Sequence, residues 1–163
     1  MKHRSLGLTM IELAIGLAVL AILGAIAVPS MGARLERQRL NTAAQSLAAD
    51  LANARFEAAR GGRTLHVNLR QGADWCWAIS ADSACTCGQP QSCQLRNVKA
   101  ADFPAVKLAA VQTVSLDPTG RADAATVATL EGKRGDRLNV EVSMLGRARV
   151  CAVSGSWPQV PAC

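Results

Sequence analysis

The stretch "MLGRARVC", Met144 to Cys151, sets Arg147 and Arg149 one residue apart behind Gly146. On an extended backbone, side chains at i and i+2 point to the same side about 7 Å apart. That spacing matches successive phosphates along one nucleic-acid strand. Gly146 allows a sharp turn or a close backbone approach to a ligand. Contacts of this kind hold phosphates and read no bases, so binding would be non-specific and strongly salt-dependent. The plainer alternative is a solvated strand face that happens to carry two arginines. Lys133, Arg134 and Arg137 form a second basic group, whose position relative to the first the sequence leaves open.

A second chemically loaded residue is Glu12. From Leu8 to Val28 only Thr9 and Glu12 are polar, in a run long enough to cross a bilayer as a helix. An unpaired carboxylate in hydrocarbon costs several kcal/mol, so it must be paired or neutralised. A cut after Gly7 would leave a positive amine on Leu8, about one helical turn from Glu12. That amine, on the same subunit or a neighbour, is the natural partner, and the pair would set the register between packed helices.

Six cysteines complete the candidates: Cys76, Cys85, Cys87 and Cys93 in a cluster, and Cys151 and Cys163 near the end. An even count behind an export-type N-terminus reads as disulfides formed in an oxidising compartment. Proximity favours Cys151 with Cys163, leaving the other four to pair among themselves. A four-thiolate zinc site is the rival for the cluster, but its spacings lack the doubled CxxC of a zinc ribbon. No metal or cofactor is expected. His3 lies in the basic leader, and His66 stands alone on the polar side of a predicted strand. No nucleotide-binding loop, zinc-protease motif, nucleophile elbow or acid pair is present, so the chain is not expected to be an enzyme.

The elements that must position these residues follow from periodicity. Residues 1–7 form a short basic leader, 8–28 the apolar run, and 29–60 an amphipathic continuation. In that continuation Leu40, Ala44, Leu47, Leu51, Ala54 and Ala58 recur at helical steps. One helix from about Leu8 to Arg60 is expected, on the order of 80 Å long. Gly61-Gly62 should end it, and Pro29 should break or bend it. From 61 to 163 the period shortens to two. Strands are predicted over 63–70, 75–80, 94–98, 106–111, 113–117, 126–131, 137–143 and 147–153, with Trp75 and Trp77 on one side and Cys76 on the other. In residues 61–163 eleven Lys/Arg face eight Asp/Glu, a mild positive balance that suits a polyanion without requiring one. The fold class is α+β: a long N-terminal helix, membrane-spanning in its first half, packed on an antiparallel β-rich domain.

The segment "SLGLTMIELAIGLAVLAILGAIAVP" resembles the class III signal of type IV pilins and type II secretion pseudopilins. The resembling positions are Gly7, apolar Leu8, Glu12 and Pro29, although Leu8 stands where Phe is usual. The resemblance implies cleavage after Gly7 by prepilin peptidase and N-methylation of Leu8. It also implies single-pass insertion in the inner membrane, a periplasmic body, and later packing with other pilins, with exposure on the cell surface when in a pilus. Together with "GRARVC" and the cysteines, the chain resembles the GspH/FimT family of minor pilins and pseudopilins, and most of all its FimT branch. That branch implies binding of double-stranded DNA in natural transformation, through Gly146, Arg147 and Arg149 and, by extension, Lys133, Arg134 and Arg137. A minor pilin or GspH-type pseudopilin that primes or caps a filament without touching DNA is the alternative.

Overall fold

The computed structural model of the protein describes residues 9–88, 94–123 and 125–163, with backbone alone at 26–30. The chain divides into two compact units, Met1–Leu35 and Glu36–Cys163, and one helix, α1 (Met10–Gly61), enters both. In the first unit Thr9 caps the helix. Its Oγ1 accepts the Glu12 backbone N–H at 3.3 Å, and its carbonyl accepts that of Leu13 at 3.1 Å. Thr-x-x-Glu is the capping-box pattern, and a carboxylate in the first turn also suits the helix dipole. The apolar side chains that follow are exposed, Ile11 by 70% and Leu20 by 65%.

Among the described residues no helix is long and apolar enough to cross a membrane. The span expected over Leu8–Val28 reaches beyond them at Leu8 and at the side chains of 26–28. The break expected at Pro29 does not interrupt the helix, which is continuous from Met10 to Gly61. A proline removes one bond of the ladder, and the paired turns on either side carry the helix across.

In the second unit the apolar stripe is buried as its spacing requires: Leu40, Ala43, Ala44, Leu47, Leu51, Ala54 and Ala58 are at most 2% exposed. Gly62, at φ +59°, stops the helix, and the Arg63 N–H returns to the Ala58 carbonyl at 3.2 Å. This is the hydrogen bond of a Schellman cap.

Eight strands follow close to their predicted bounds: β1 (Leu65–Arg70), β2 (Cys76–Ser80), β3 (Gln94–Lys99), β4 (Val106–Val111), β5 (Val114–Leu116), β6 (Thr126–Gly132), β7 (Arg137–Val142) and β8 (Ala148–Ser154). They form two antiparallel sheets, ordered β3-β2-β1-β5 and β4-β6-β7-β8. A single core joins α1 to the inner faces of both. Every residue of β2 is buried, so both of its faces are covered. Trp75 and Trp77 stack in the main core at 5.4 Å, while Cys76, Ala78 and Cys87 make a small separate cluster on the other face. His66 is not alone, since its Nδ1 lies 3.1 Å from the Ser115 hydroxyl.

Candidate nucleic-acid interface

β7 is flanked by two hairpin loops of one design. At the β6–β7 end the Gly132 N–H binds the Asp136 carbonyl and the Gly135 N–H binds that of Gly132. At the β7–β8 end the Ser143 N–H binds the Arg147 carbonyl at 3.0 Å, and the Gly146 N–H binds that of Ser143 at 2.7 Å. Each loop places a glycine in the left-handed region, Gly135 at φ +80° and Gly146 at φ +69°. This is the three-residue hairpin loop in which a tight turn is followed by a left-handed glycine. Lys133-Arg134 form the tip of the first loop, and Met144-Leu145 that of the second.

The second loop is held from outside. The Ala122 N–H donates to the Met144 carbonyl, and Arg55 Nε on α1 donates to the Gly120 carbonyl at 3.2 Å. A Cβ on Gly146 would overlap that same Gly120 oxygen and press on the Arg55 side chain. Gly146 is buried. The close approach predicted for it is, in this structure, to the protein's own backbone, and Gly146 positions the loop.

Arg147 emerges directly from this clasp, exposed, and its guanidinium has no hydrogen-bond or ion-pair partner among the described residues. Arg149 is engaged. Its Nε and Nη2 both bind Glu141 Oε2 across the β7–β8 ladder, at 2.9 and 2.7 Å. The Arg149 side chain remains 67% exposed. An ion pair open to solvent contributes only about 0–1 kcal/mol, so a phosphate can displace the carboxylate. Exposed Arg121 lies between Gly120 and Ala122, the two residues that touch the loop.

Arg121 shares its turn with Asp117, whose Oδ1 accepts the Thr119 hydroxyl, the Thr119 N–H and the Arg121 N–H at 2.7–2.9 Å. The Thr119 hydroxyl first, then the Arg121 N–H, holds this carboxyl below the ordinary aspartate value. The structure thus gathers Arg121, Arg147 and Arg149 at one end of the second sheet.

The second basic group is elsewhere. Lys133, Arg134 and Arg137 lie at the opposite end of β7, where Arg134 pairs with Glu36 at 3.2 Å and Arg137 with Glu131 at 3.0 Å. Asp136 beside them holds Arg37 at 3.0 Å. A strand of this length separates the two groups by well over 10 Å, and the local carboxylates cancel much of the second group's charge. The structure therefore does not bring Lys133, Arg134 and Arg137 together with Arg147 and Arg149.

The Cys151–Cys163 disulfide secures the segment after β8. The Ala152 N–H also donates to the Pro161 carbonyl at 2.7 Å, and the Cys163 N–H to that of Ala152 at 3.2 Å. In the cluster, Cys76 is bonded to Cys87, and Cys85 also takes part in a disulfide. Cys93, like Gly7 and Leu8, lies outside the described residues. The one grouping of metal-ligand types among the described residues is Glu141 with Cys151 and Cys163. Two of its members are consumed by the disulfide, and the third is bound to Arg149.

Three residues that matter here escape a reading of the sequence. Arg55 acts through a partner 65 positions away, and Glu141 through Arg149 across the next hairpin, at which only the cross-strand alternation of β7 against β8 hints. The third is Asp50, on the helix and only 8% exposed. It accepts the Trp77 indole N–H at 2.8 Å and lies 3.3 Å from Arg96 Nε. Its signal is a carboxylate within the apolar helical stripe.

The fold is that of a known pilin. The Pseudomonas aeruginosa type IV minor pilin FimU, in one crystal form, is 20% identical over 72% of this chain and 99% of that chain, with a TM-score of 0.53. In a second crystal form the values are 22%, 77% and 96%, with a TM-score of 0.54. At these identities the likeness is one of fold. No curated protein matches the chain. A family model described as type II transport protein GspH matches residues 43–146, from the buried helix stripe through both hairpin loops of β7. Proteins of this kind are structural and not enzymes. The match spans more than half of the sequence, and the chain belongs to the GspH family.

Proposed function

We propose that this protein is a minor subunit of a type IV pilus, of the FimT kind, that binds duplex DNA through Arg147 and Arg149 and so supports natural transformation. The observation that carries the reading is the setting of Arg147: exposed, without a carboxylate partner among the described residues, on a loop clasped by Gly120 and Arg55. The backbone beneath Arg147 is fixed, and the planar guanidinium fork loses less entropy per hydrogen bond to a phosphate than a lysine ammonium would. Arg149 exchanges Glu141 for a neighbouring phosphate, and Arg121 adds to the local field. Each phosphate neutralised releases a counterion, so affinity falls steeply with salt and ignores sequence.

The same reading places the chain in the inner membrane, with residues 61–163 in the periplasm until assembly brings them to the cell surface. Prepilin peptidase cuts after Gly7, Leu8 is methylated, and its amine meets Glu12 in the stack of pilin helices. The apolar run of the sequence, membership of the GspH family and the minor-pilin fold support this. A second reading, an assembly subunit of a pilus or secretion pseudopilus that does not bind DNA, is favoured by the Arg149–Glu141 ion pair.

The test is a gel shift at low salt with the full chain in detergent. The native protein should retard duplex DNA, and the Arg147→Ala, Arg149→Ala variant should lose most of that shift with its thermal unfolding unchanged. Equal binding by both overturns the site. No binding by the native chain selects the second reading.

A further inference from the structure

Both tip residues of the β7–β8 loop are large and apolar: Met144 is 82% exposed and Leu145 58%. Tight turns ordinarily take glycine, asparagine, aspartate or serine at such positions, because the tip faces water. The sister loop at the other end of β7 follows that logic with Lys133-Arg134. The Met144-Leu145 loop is braced through its backbone, by the Ala122 N–H and by the packing of Gly146 on Gly120. The sister loop is tied instead by Arg134 to Glu36 and by the Gly135 carbonyl, which accepts the Ser154 hydroxyl. Two exposed apolar side chains thus project from a braced backbone at the apex of a narrow ribbon, with Arg147 beside them and Arg121 across the contact.

We infer that Met144 and Leu145 form a wedge that enters the minor groove of duplex DNA and inserts between stacked base pairs, while the flanking arginines grip the phosphates. This inference rests on the DNA-binding reading above. Methionine and leucine are among the side chains suited to prising a base step apart, and such insertion kinks the duplex by about 20–90°. The shape favours DNA over a lipid surface. A membrane rewards a broad apolar face, whereas one hairpin apex presents two side chains, narrow enough for a groove about 6 Å wide. The division of labour follows. The arginines set affinity and its salt dependence, and the apolar tip sets bending.

The experiment uses the full chain in detergent and a short duplex carrying a donor and an acceptor dye at its ends, with 2-aminopurine placed within it. The native protein should raise energy transfer and brighten the 2-aminopurine as bases unstack. A Met144→Ser, Leu145→Ser variant should bind with an unchanged salt slope and no more than about threefold weaker affinity, and produce neither signal. A Met144→Lys, Leu145→Arg variant copies the sister loop and guards against loss of the turn. It should bind at least as tightly as native and still leave the duplex straight.

Binding by the native protein without bending or unstacking overturns the wedge and leaves the phosphate-binding role standing. Equal bending by the substituted proteins does the same. Failure of the native protein to bind DNA removes both readings. Vesicles with an anionic phospholipid serve as the counter-probe: if the substitutions abolish vesicle binding and leave DNA bending intact, the tip belongs to a lipid surface and the inference is wrong.

Discussion

Arg149 on β8 stands directly opposite Glu141 on β7 and holds its Oε2 with two nitrogens, at 2.9 and 2.7 Å. One half of the arginine pair is therefore satisfied within the protein, while the guanidinium of the other half, Arg147, has no such partner among the described residues. The pair is chemically unequal, and that inequality is measurable.

Arg147→Ala should weaken duplex binding more than Arg149→Ala, and each should lower the salt slope by about one. Glu141→Gln should tighten binding at low salt, because it removes the competing carboxylate at a stability cost within about 1 kcal/mol. Fluorescence anisotropy across a salt series, beside urea denaturation, reads all three. Weaker DNA binding by Glu141→Gln would contradict the competition.

Gly146→Ala and Gly135→Ala make a controlled comparison. Both glycines have positive φ, but a Cβ at Gly135 meets nothing within 4 Å, whereas one at Gly146 overlaps the Gly120 carbonyl. Gly135→Ala should cost about 1 kcal/mol from backbone strain alone. Gly146→Ala should exceed it by about 1–2 kcal/mol as the clasp opens. Denaturant midpoints decide the order.

Asp50→Ala removes the acceptor from a buried indole N–H and should cost about 1–3 kcal/mol. Asp50→Asn keeps an acceptor within reach of Trp77 and should cost less. Tryptophan emission provides a second readout, because the environment of Trp77 changes only when the bond is lost. Equal destabilisation by both substitutions would assign the role to charge.

The Asp117 carboxyl is held below its ordinary value by the Thr119 hydroxyl and the Arg121 N–H. A depressed folded pKa means that its contribution is complete above the unfolded value of about 4, and disappears as pH falls through the folded one. The stability gap between native protein and Asp117→Asn should therefore be constant near neutrality and shrink in acid, below about pH 4. A pH series of unfolding midpoints checks this. A gap that widened in acid would reverse the sign.

Much of this molecule is readable from its residues, for identifiable reasons. The stripe from Leu40 to Ala58 and the alternation at Leu65 and Val67 are local patterns, and burial follows them directly, fading to partial burial at Leu69. Gly62 and Gly146 announce their turns because few other residues tolerate those angles. What escaped depends on contacts between distant parts of the chain. The helix carries on through Pro29 because one absent hydrogen bond does not outweigh the turns around it. The separation of Arg134 from Arg147 follows from β7 lying between them, which is evident only once both hairpins are drawn. Arg55 reaches Gly120 across 65 positions, a link no periodicity encodes.

The duplicated loop design at the two ends of β7 has a consequence for how this surface can change. One glycine dictates the path of each loop, so the pair of residues ahead of it is released from any duty to the backbone. Cationic nitrogens at one end and a thioether with an isobutyl group at the other are alternative heads on a common mount. The register of β7 is indifferent to which is fitted. New surface chemistry can therefore be acquired here by exchanging two side chains, leaving the architecture beneath untouched.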